Sequence, residues 1–386
     1  MASRAAARPR RGPIGGIDLP LLTVVLALLV VGIDMVYSAS FVLAHNSSLY
    51  DSDTYFLVRQ VMWVVLGGVA MFVTARTDYH LWQRLALPVL LVSVVLLAAV
   101  LLPGLGHEEY GAQRWLQLGP LPPVQPSEFA KLAIVLYMAA WLSAKGEQVR
   151  DLTYGSLPFA IILAAMVALV MLQPDLGTSF VIVASAVAVF FIAGAHLLHF
   201  AGGLALGGVV LALLITGSDY RSSRFTGFLN PEADPLGQGW HIIQSNIALG
   251  SGGFFGLGLG ASRQKFYWIP GAHTDAIFAI IGEELGFLGA VGLIALFGYL
   301  AYRGYGIAWR APDQFGALLA VGATSMLVIQ AAGNIGVVTA VLPFTGITLP
   351  FISSGGSSLL VSMVAVGWLL SVSRQGVARG PARRPR

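Results

Sequence analysis

The sequence predicts an all-α polytopic membrane protein: about ten transmembrane helices, both termini on one side, and a large loop between the seventh and eighth helices on the other. Three observations predict it. Of the 386 residues, 56% are hydrophobic and 10% charged, with a mean hydropathy of +0.78, whereas a soluble domain carries about 25% charged residues. Ten apolar segments, at 19–44, 55–75, 84–102, 126–144, 155–172, 176–194, 197–216, 274–301, 314–341 and 349–372, approach the roughly 20 residues that cross a hydrocarbon core of about 30 Å. The basic residues are also sorted. Fifteen of the 22 lie in the two tails and at Arg76, Arg84, Lys145, Arg150, Arg303 and Arg310. Five lie on the opposite connections, at Arg114, Arg221, Arg224, Arg263 and Lys265, and two lie within spans, at Arg59 and Lys131. Basic residues collect on the cytoplasmic side of membrane proteins, so both termini are expected there.

Along the chain, residues 1–18 form a basic tail, 19–372 the membrane domain and 373–386 a second basic tail. The first apolar run is longer than the roughly 7–15 residues of a signal peptide and is read as an uncleaved span. Two outer connections are long enough to build structure, Pro103–Gln125 and Gly217–His273. Within the second, Phe254–Phe255–Gly256–Leu257–Gly258–Leu259–Gly260 is too apolar for a solvated linker and is expected to lie on or dip into the membrane. Gly203 with Gly207, and Gly282 with Gly286, have the four-residue spacing of close helix packing. The absence of cysteine excludes disulfides, thiolate metal sites and cysteine nucleophiles. The net charge of +4 resides mainly in the tails, so no nucleic-acid partner is expected.

Ionisable groups in a membrane are costly and mark function by default, which directs attention to the outer ends of spans. In Gln125–Pro126–Ser127–Glu128–Phe129–Ala130–Lys131, Pro and Ser mark a helix start, and Glu128 and Lys131 share a face at i and i+3. They are a substrate-facing pair or a self-neutralising structural one. Asp275, after the Pro270–Gly271 turn, is expected in the first turn of the eighth span, where the helix dipole favours its anion. Glu283 and Glu284 follow on other faces, so Asp275 must work with groups from other helices. Arg114 beside Trp115 offers a guanidinium fork to a phosphate. The run Leu349–Ser358, rich in Gly and Ser, is either an anion cradle at a helix start or a simple break. Asp175 reads as a helix cap. His196 and His199 are too few for a metal site, and Asp34 and Arg59 receive no role.

Taken together, Pro126–Lys131, Gln173–Thr178, Pro270–Asp275, Gly282–Gly286, and Asn334–Val337 followed by Leu349–Phe351 resemble the SEDS family (shape, elongation, division and sporulation) along the whole membrane domain. The resemblance implies a ten-span fold and a peptidoglycan glycosyltransferase that polymerises lipid II at the outer face of the bacterial cytoplasmic membrane. It implies that Asp275 is the catalytic acid, acting as general base. Glu128, Lys131 and Arg114 would line the substrate cavity, with Lys131 and Arg114 meeting phosphate. It also implies a class B penicillin-binding protein as partner in an elongation or division complex. Tyr267 stands where division-type members often carry Glu, which leans the reading toward the elongation (RodA-like) type. A divalent cation, Mg or Mn, is an optional cofactor without a dedicated ligand cluster. A lipid II transporter and a non-catalytic scaffold are the alternatives.

Overall fold

A computed structural model of the chain describes residues 16–46, 50, 52–102, 104, 106–109, 112–117, 122–217 and 219–376. In order these form α1 (Leu19–Asn46), α2 (Tyr55–Arg76), α3 (Tyr79–Val100), the strands β1 (Gly106–Glu109) and β2 (Ala112–Leu116), and α4 (Pro126–Lys145). There follow α5 (Leu157–Met171), α6 (Leu176–Ile192), α7 (Leu197–Thr216), α8 (Asp219–Leu229), α9 (Trp240–Ser251), α10 (Ile277–Trp309), α11 (Gln314–Val338) and α12 (Gly356–Gln375). Eight of the described helices are long and apolar enough to cross a membrane, and two shorter apolar helices, α6 and the first part of α7, stand at the sixth and seventh predicted spans. The polytopic all-α architecture is therefore as expected.

Helix starts follow local chemistry. Pro126 opens α4, where its missing N–H costs nothing. Asp78, Asp175 and Asp313 cap α3, α6 and α11 by accepting from His80 N, Thr178 N and Gly316 N. The Asp78 cap starts the third span at Tyr79, earlier than the hydropathy suggested. The last helix begins later, at Gly356, because the backbone before it is committed elsewhere: Leu349 N donates to Ser353 Oγ and Ser354 N to His273 O.

α11 and α12 form the centre of the bundle. α11 packs against α4, α6 and α10, and α12 against α2. Leu318, Leu319, Leu327, Val366, Trp368 and Leu369 are buried there. α7 is the opposite case. None of its described side chains is buried, and a Cβ added at Gly203 or Gly207 would meet nothing within 4 Å, so that glycine pair packs no helix here. The described ends of the chain meet at one end of the bundle, where Asp18 N donates to Ser373 Oγ and Arg303 pairs with Asp18 at 2.6 Å.

At the other end the long connections are folded. β1 and β2 form an antiparallel hairpin. The second connection contains α8, a short 3-10 turn at Pro231–Ala233, α9 and then an irregular hairpin, residues 252–265. That hairpin enters a break in α10. Gly286 sits at φ 68°, ψ −166°, so the helix bonds from Phe287 N and Leu288 N to the Glu283 and Glu284 carbonyls are not made. Phe287 N and Leu288 N donate instead to Gly253 O and Phe254 O, while Leu257 N and Gly258 N donate to Glu283 O and Glu284 O. Irregular backbone at membrane depth must satisfy its polar groups within the protein, and this exchange does so. A side chain at Gly256 would strike Glu284 O at 2.2 Å. The apolar Gly-rich run thus packs beside α10 at its break; Gly282 faces Leu249 of the neighbouring helix α9, as its spacing suggested, while Gly286 receives this hairpin.

Candidate active site

Asp275 lies two residues before α10, in the turn Gly271–Ala276, and is half-buried. It is therefore outside the first helical turn where the sequence placed it. The turn is closed by Thr274 N and Ala276 N donating to Gly271 O. Gly271 has φ +67°, and a Cβ there would meet Asp275 Oδ1 at 2.3 Å, so only glycine fits. Thr274 Oγ1 donates to Asp275 Oδ1 at 3.0 Å. Three groups from other elements fix the backbone: Asn334 Nδ2 donates to Asp275 O at 2.7 Å, Ser353 Oγ to Thr274 O at 2.5 Å, and Ser354 N to His273 O at 2.9 Å. Burial pushes the Asp275 carboxyl up to about 6, against the opposing pull of the Thr274 hydroxyl, neighbouring backbone amides and the charge of Arg224. A carboxylate tuned towards neutrality suits proton transfer near physiological pH.

The second predicted element is buried one layer away. Lys131 Nζ lies 2.6 Å from Glu128 Oε2 and 2.6 Å from Gln330 Oε1. Gln330 Nε2 in turn donates to Thr348 O and Ser358 Oγ. Gln330 and Asn334 are one turn apart on α11, about 6 Å along its axis. Asn334 Nδ2 holds Ile347 O as well as Asp275 O. α11 thus joins the Lys131 pair and the Asp275 turn into one polar layer with residues 347–358. Within the Leu349–Ser354 run, the amides of Leu349, Ile352, Ser353 and Ser354 are bonded within the protein.

Arg114 on β2 donates from Nε to Gln173 O at 3.0 Å and from Nη2 to Pro174 O at 2.5 Å. It ties the β hairpin to the turn before α6. In that turn Asp175 caps Thr178 N and accepts from Gln125 Nε2, Ser127 Oγ and Thr178 Oγ1. Asp175 therefore does more than cap: it fixes the start of α4, and with it Glu128 and Lys131.

Three residues of this end, Arg224, His241 and Gln330, were given no role from the sequence, and a fourth, Asn334, entered only as part of the Asn334–Val337 motif. The guanidinium of Arg224, on α8, lies 4.9 Å from the ring centre of Phe344 and donates to Phe344 O at 3.5 Å. It is near enough for its charge to act on Asp275. His241 also packs on Phe344, ring to ring at 4.2 Å, and burial with the Arg224 charge holds it down to about 4, so it is neutral at pH 7. The signal available for Arg224 was its position as one of five basic residues on the outer connections. Gln330 was visible only as a polar residue inside an apolar span, and Asn334 as the start of the Asn334–Val337 motif. Asp34 is exposed on α1, and Arg59 donates to Tyr55 Oη at 2.7 Å rather than reaching Asp34. His196 and His199 have adjacent rings, and each meets its own partner, Leu198 N and Ser156 Oγ. Among the described residues no group of three or more His, Cys, Asp or Glu side chains is placed to hold a metal ion.

Fold and site together define a polytopic helical membrane protein with a tuned carboxylate and nearby cations at the end opposite its termini. From residue 19 to 377 the sequence matches the model of the FtsW/RodA/SpoVE family, described as cell cycle protein; the chain belongs to this family. It is 45% identical, over 92% of its length and 93% of the relative's, to a protein of Trichlorobacter lovleyi named probable peptidoglycan glycosyltransferase FtsW. It is also 45% identical, over 92% and 97%, to stage V sporulation protein E of Bacillus subtilis. A chain from a structure described as structural coordination of polymerization and crosslinking by a peptidoglycan synthase complex superposes with TM-score 0.73 at 32% identity, covering 93% of this chain and 98% of that one. The crystal structure of the Thermus thermophilus rod shape determining protein RodA gives 0.68 at 30%, covering 93% and 97%. FtsW- and sporulation-named relatives thus stand at higher identity than RodA, and the lean toward an elongation-type protein drawn from Tyr267 is not supported.

Proposed function

We propose that the chain is a peptidoglycan glycosyltransferase that joins lipid-linked disaccharide units of lipid II into glycan strands. The 4-hydroxyl of the acceptor sugar attacks the anomeric carbon of the donor, a glycosidic C–O bond forms, and the bond to the lipid diphosphate breaks. Asp275 takes the hydroxyl proton as general base. The diphosphate leaves into positive potential from three cations: Arg224 beside Asp275, Arg114 on β2, and Lys131, held by Glu128 and Gln330. The observation that carries this reading is the half-buried Asp275 carboxyl, raised to about 6 and fixed by Asn334 and Ser353 from α11 and the segment before α12.

The reaction is assigned to the outer face of the bacterial cytoplasmic membrane, supported by the described chain ends at Asp18 and Ser373, next to which the Arg-rich segments of the sequence lie, being at the opposite end of the bundle from Asp275. A class B penicillin-binding protein is the proposed partner, supported by the similarity to a chain of a peptidoglycan synthase complex. A divalent cation would rest on Asp275 and the substrate's own phosphates, since such an ion accepts one carboxylate with phosphate oxygens. The test is reconstitution in lipid vesicles with lipid II and the partner. Wild type is expected to produce glycan polymer and Asp275→Ala none; equal polymer from both would overturn the assignment of the base.

A further inference from the structure

The motif Gly282–Glu283–Glu284–Leu285–Gly286 has no part in the chemistry above, yet it carries two buried, heavily bonded acids. Glu284 is 1% exposed. It accepts from Ser38 Oγ at 2.7 Å, Gly260 N at 2.9 Å and Ser262 N at 3.2 Å, and pairs with Lys265 Nζ at 3.1 Å. Lys265 Nζ also donates to Gly260 O and Ser38 Oγ. Glu283 accepts from Ser262 Oγ, Arg263 N and Gln264 N. The site is well below the end of the bundle. Glu284 lies seven residues into α10 and Ser38 eight residues from the end of α1, both about 10–12 Å down at 1.5 Å per residue. The sequence had assigned Lys265 to an outer loop; it is instead 8% exposed at this depth.

The contact closes a loop on itself. Lys265 and Glu284 are nineteen residues apart, and Asp275 sits at the far tip, ten residues from one and nine from the other. One leg of this arm is the half-helix Ile277–Leu285; the other is the irregular segment 266–274. At Gly286 the arm is not continuous with the rest of α10, since the helix bonds across the break are replaced by bonds to the hairpin. The arm's base is held by the packing of the buried Ile277–Glu284 half-helix against α1 and α11 and, among polar contacts, by the Lys265–Glu284–Ser38 cluster and its Glu283 neighbour.

We propose that Lys265 and Glu284 are positioning residues: together with Ser38 of α1 they clamp the base of a hinged arm at Gly286 and so set where Asp275 stands in the site. The catalytic consequence rests on the reading of Asp275 as general base; the mechanical one does not. A buried pair that served only as a structural anchor would be replaceable by neutral groups without loss of turnover, because removing both partners avoids the uncompensated charge left by removing one.

The chain has no cysteine, so spin labels at Trp268→Cys on the arm and Val341→Cys beyond α11, both exposed, report the arm's position without assaying activity. A single narrow distance distribution is expected for the parent and a broadened or shifted one for Lys265→Met and for Lys265→Met/Glu284→Gln. In the lipid II assay, the double variant is expected to regain the thermal stability lost by Lys265→Met. Its kcat is expected to remain on the order of 10- to 100-fold low, the scale of a small misplacement of a catalytic group, with KM nearly unchanged. Unchanged distances in both variants, or wild-type kcat in the double variant, would overturn the clamp. If the parent makes no polymer, the proposed function fails and the distances still decide the clamp.

Discussion

The tip and the base of the arm that precedes Gly286 carry acids in opposite circumstances. At the tip Asp275 is half-buried, takes one side-chain hydrogen bond, from Thr274, and has its carboxyl raised to about 6 by burial. At the base Glu284 is enclosed and is bonded by a lysine, a serine and two backbone amides. The acceptor oxygens of Glu284 are thus taken up by groups of the protein itself. A carboxylate left with few partners and near a cation can exchange a proton. On the proposed reading of Asp275, buried charge in a membrane protein does not of itself mark the reacting group; the degree of compensation separates the two acids.

The largest effect should come from the tip. Asp275→Asn is expected to reduce polymerisation by on the order of a thousandfold, within the range for loss of a general base, with little change in the temperature at which the purified protein unfolds. A variant retaining more than about a tenth of wild-type turnover would erase the contrast between the two acids. Next comes Arg224→Met, expected to lower kcat on the order of a hundredfold if it stabilises the leaving diphosphate, read in a steady-state assay; a rise in KM alone would reassign it to ground-state binding.

The third test moves to the other compensated pair. Lys131→Met leaves Glu128 buried beside Gln330 with no cation, which is expected to destabilise the protein by about 3–5 kcal/mol. Glu128→Gln/Lys131→Met should recover most of that loss in a thermal unfolding measurement, and failure to recover would show that the pair is not mutually compensating.

A smaller shift concerns pH. The base works ionised, so kcat should fall as pH drops through about 6 rather than through the ordinary carboxylate range near 4. Arg224 lowers the Asp275 pKa, so in Arg224→Met the acidic limb of the pH–rate profile should move to higher pH. A limb near 4 would mean that the site is wetter than its geometry implies. The smallest effect is expected at Gly203→Ala in α7, which should leave unfolding and turnover within about twofold of wild type, since surface changes far from packed groups cost little.

How much of this was legible before the fold is clear from particular residues. The spans were readable because hydropathy is a property of short windows. The Glu128–Lys131 pair was readable because i and i+3 on a helix are neighbours whatever the helix packs against. Asp275 stood out through its motif, and its isolation from Glu283 and Glu284 followed from helical angles alone. The neighbours of Asp275 were not readable: Arg224 reaches the site through Phe344, 120 residues away, and Asn334 and Gln330 are single polar residues whose partners lie on other elements. The start of the last helix was misplaced because Pro350 and the apolar residues around it are buried in an irregular segment, and hydropathy does not distinguish buried coil from buried helix.

The sequence by itself determined the hydrophobic environment and the spans, because these follow from composition and periodicity; the acid proposed to perform the chemistry was picked out by the resemblance of its motif to a family. Only the tertiary structure decided which cation stands beside that acid, how deep Lys265 lies, and that the Gly-rich hairpin completes a helix broken at Gly286. Those are pairings between distant segments. A backbone amide at Leu257 and a carbonyl at Glu283 carry no mark in the sequence that they belong together; they meet because, in lipid, each must find a partner within the protein.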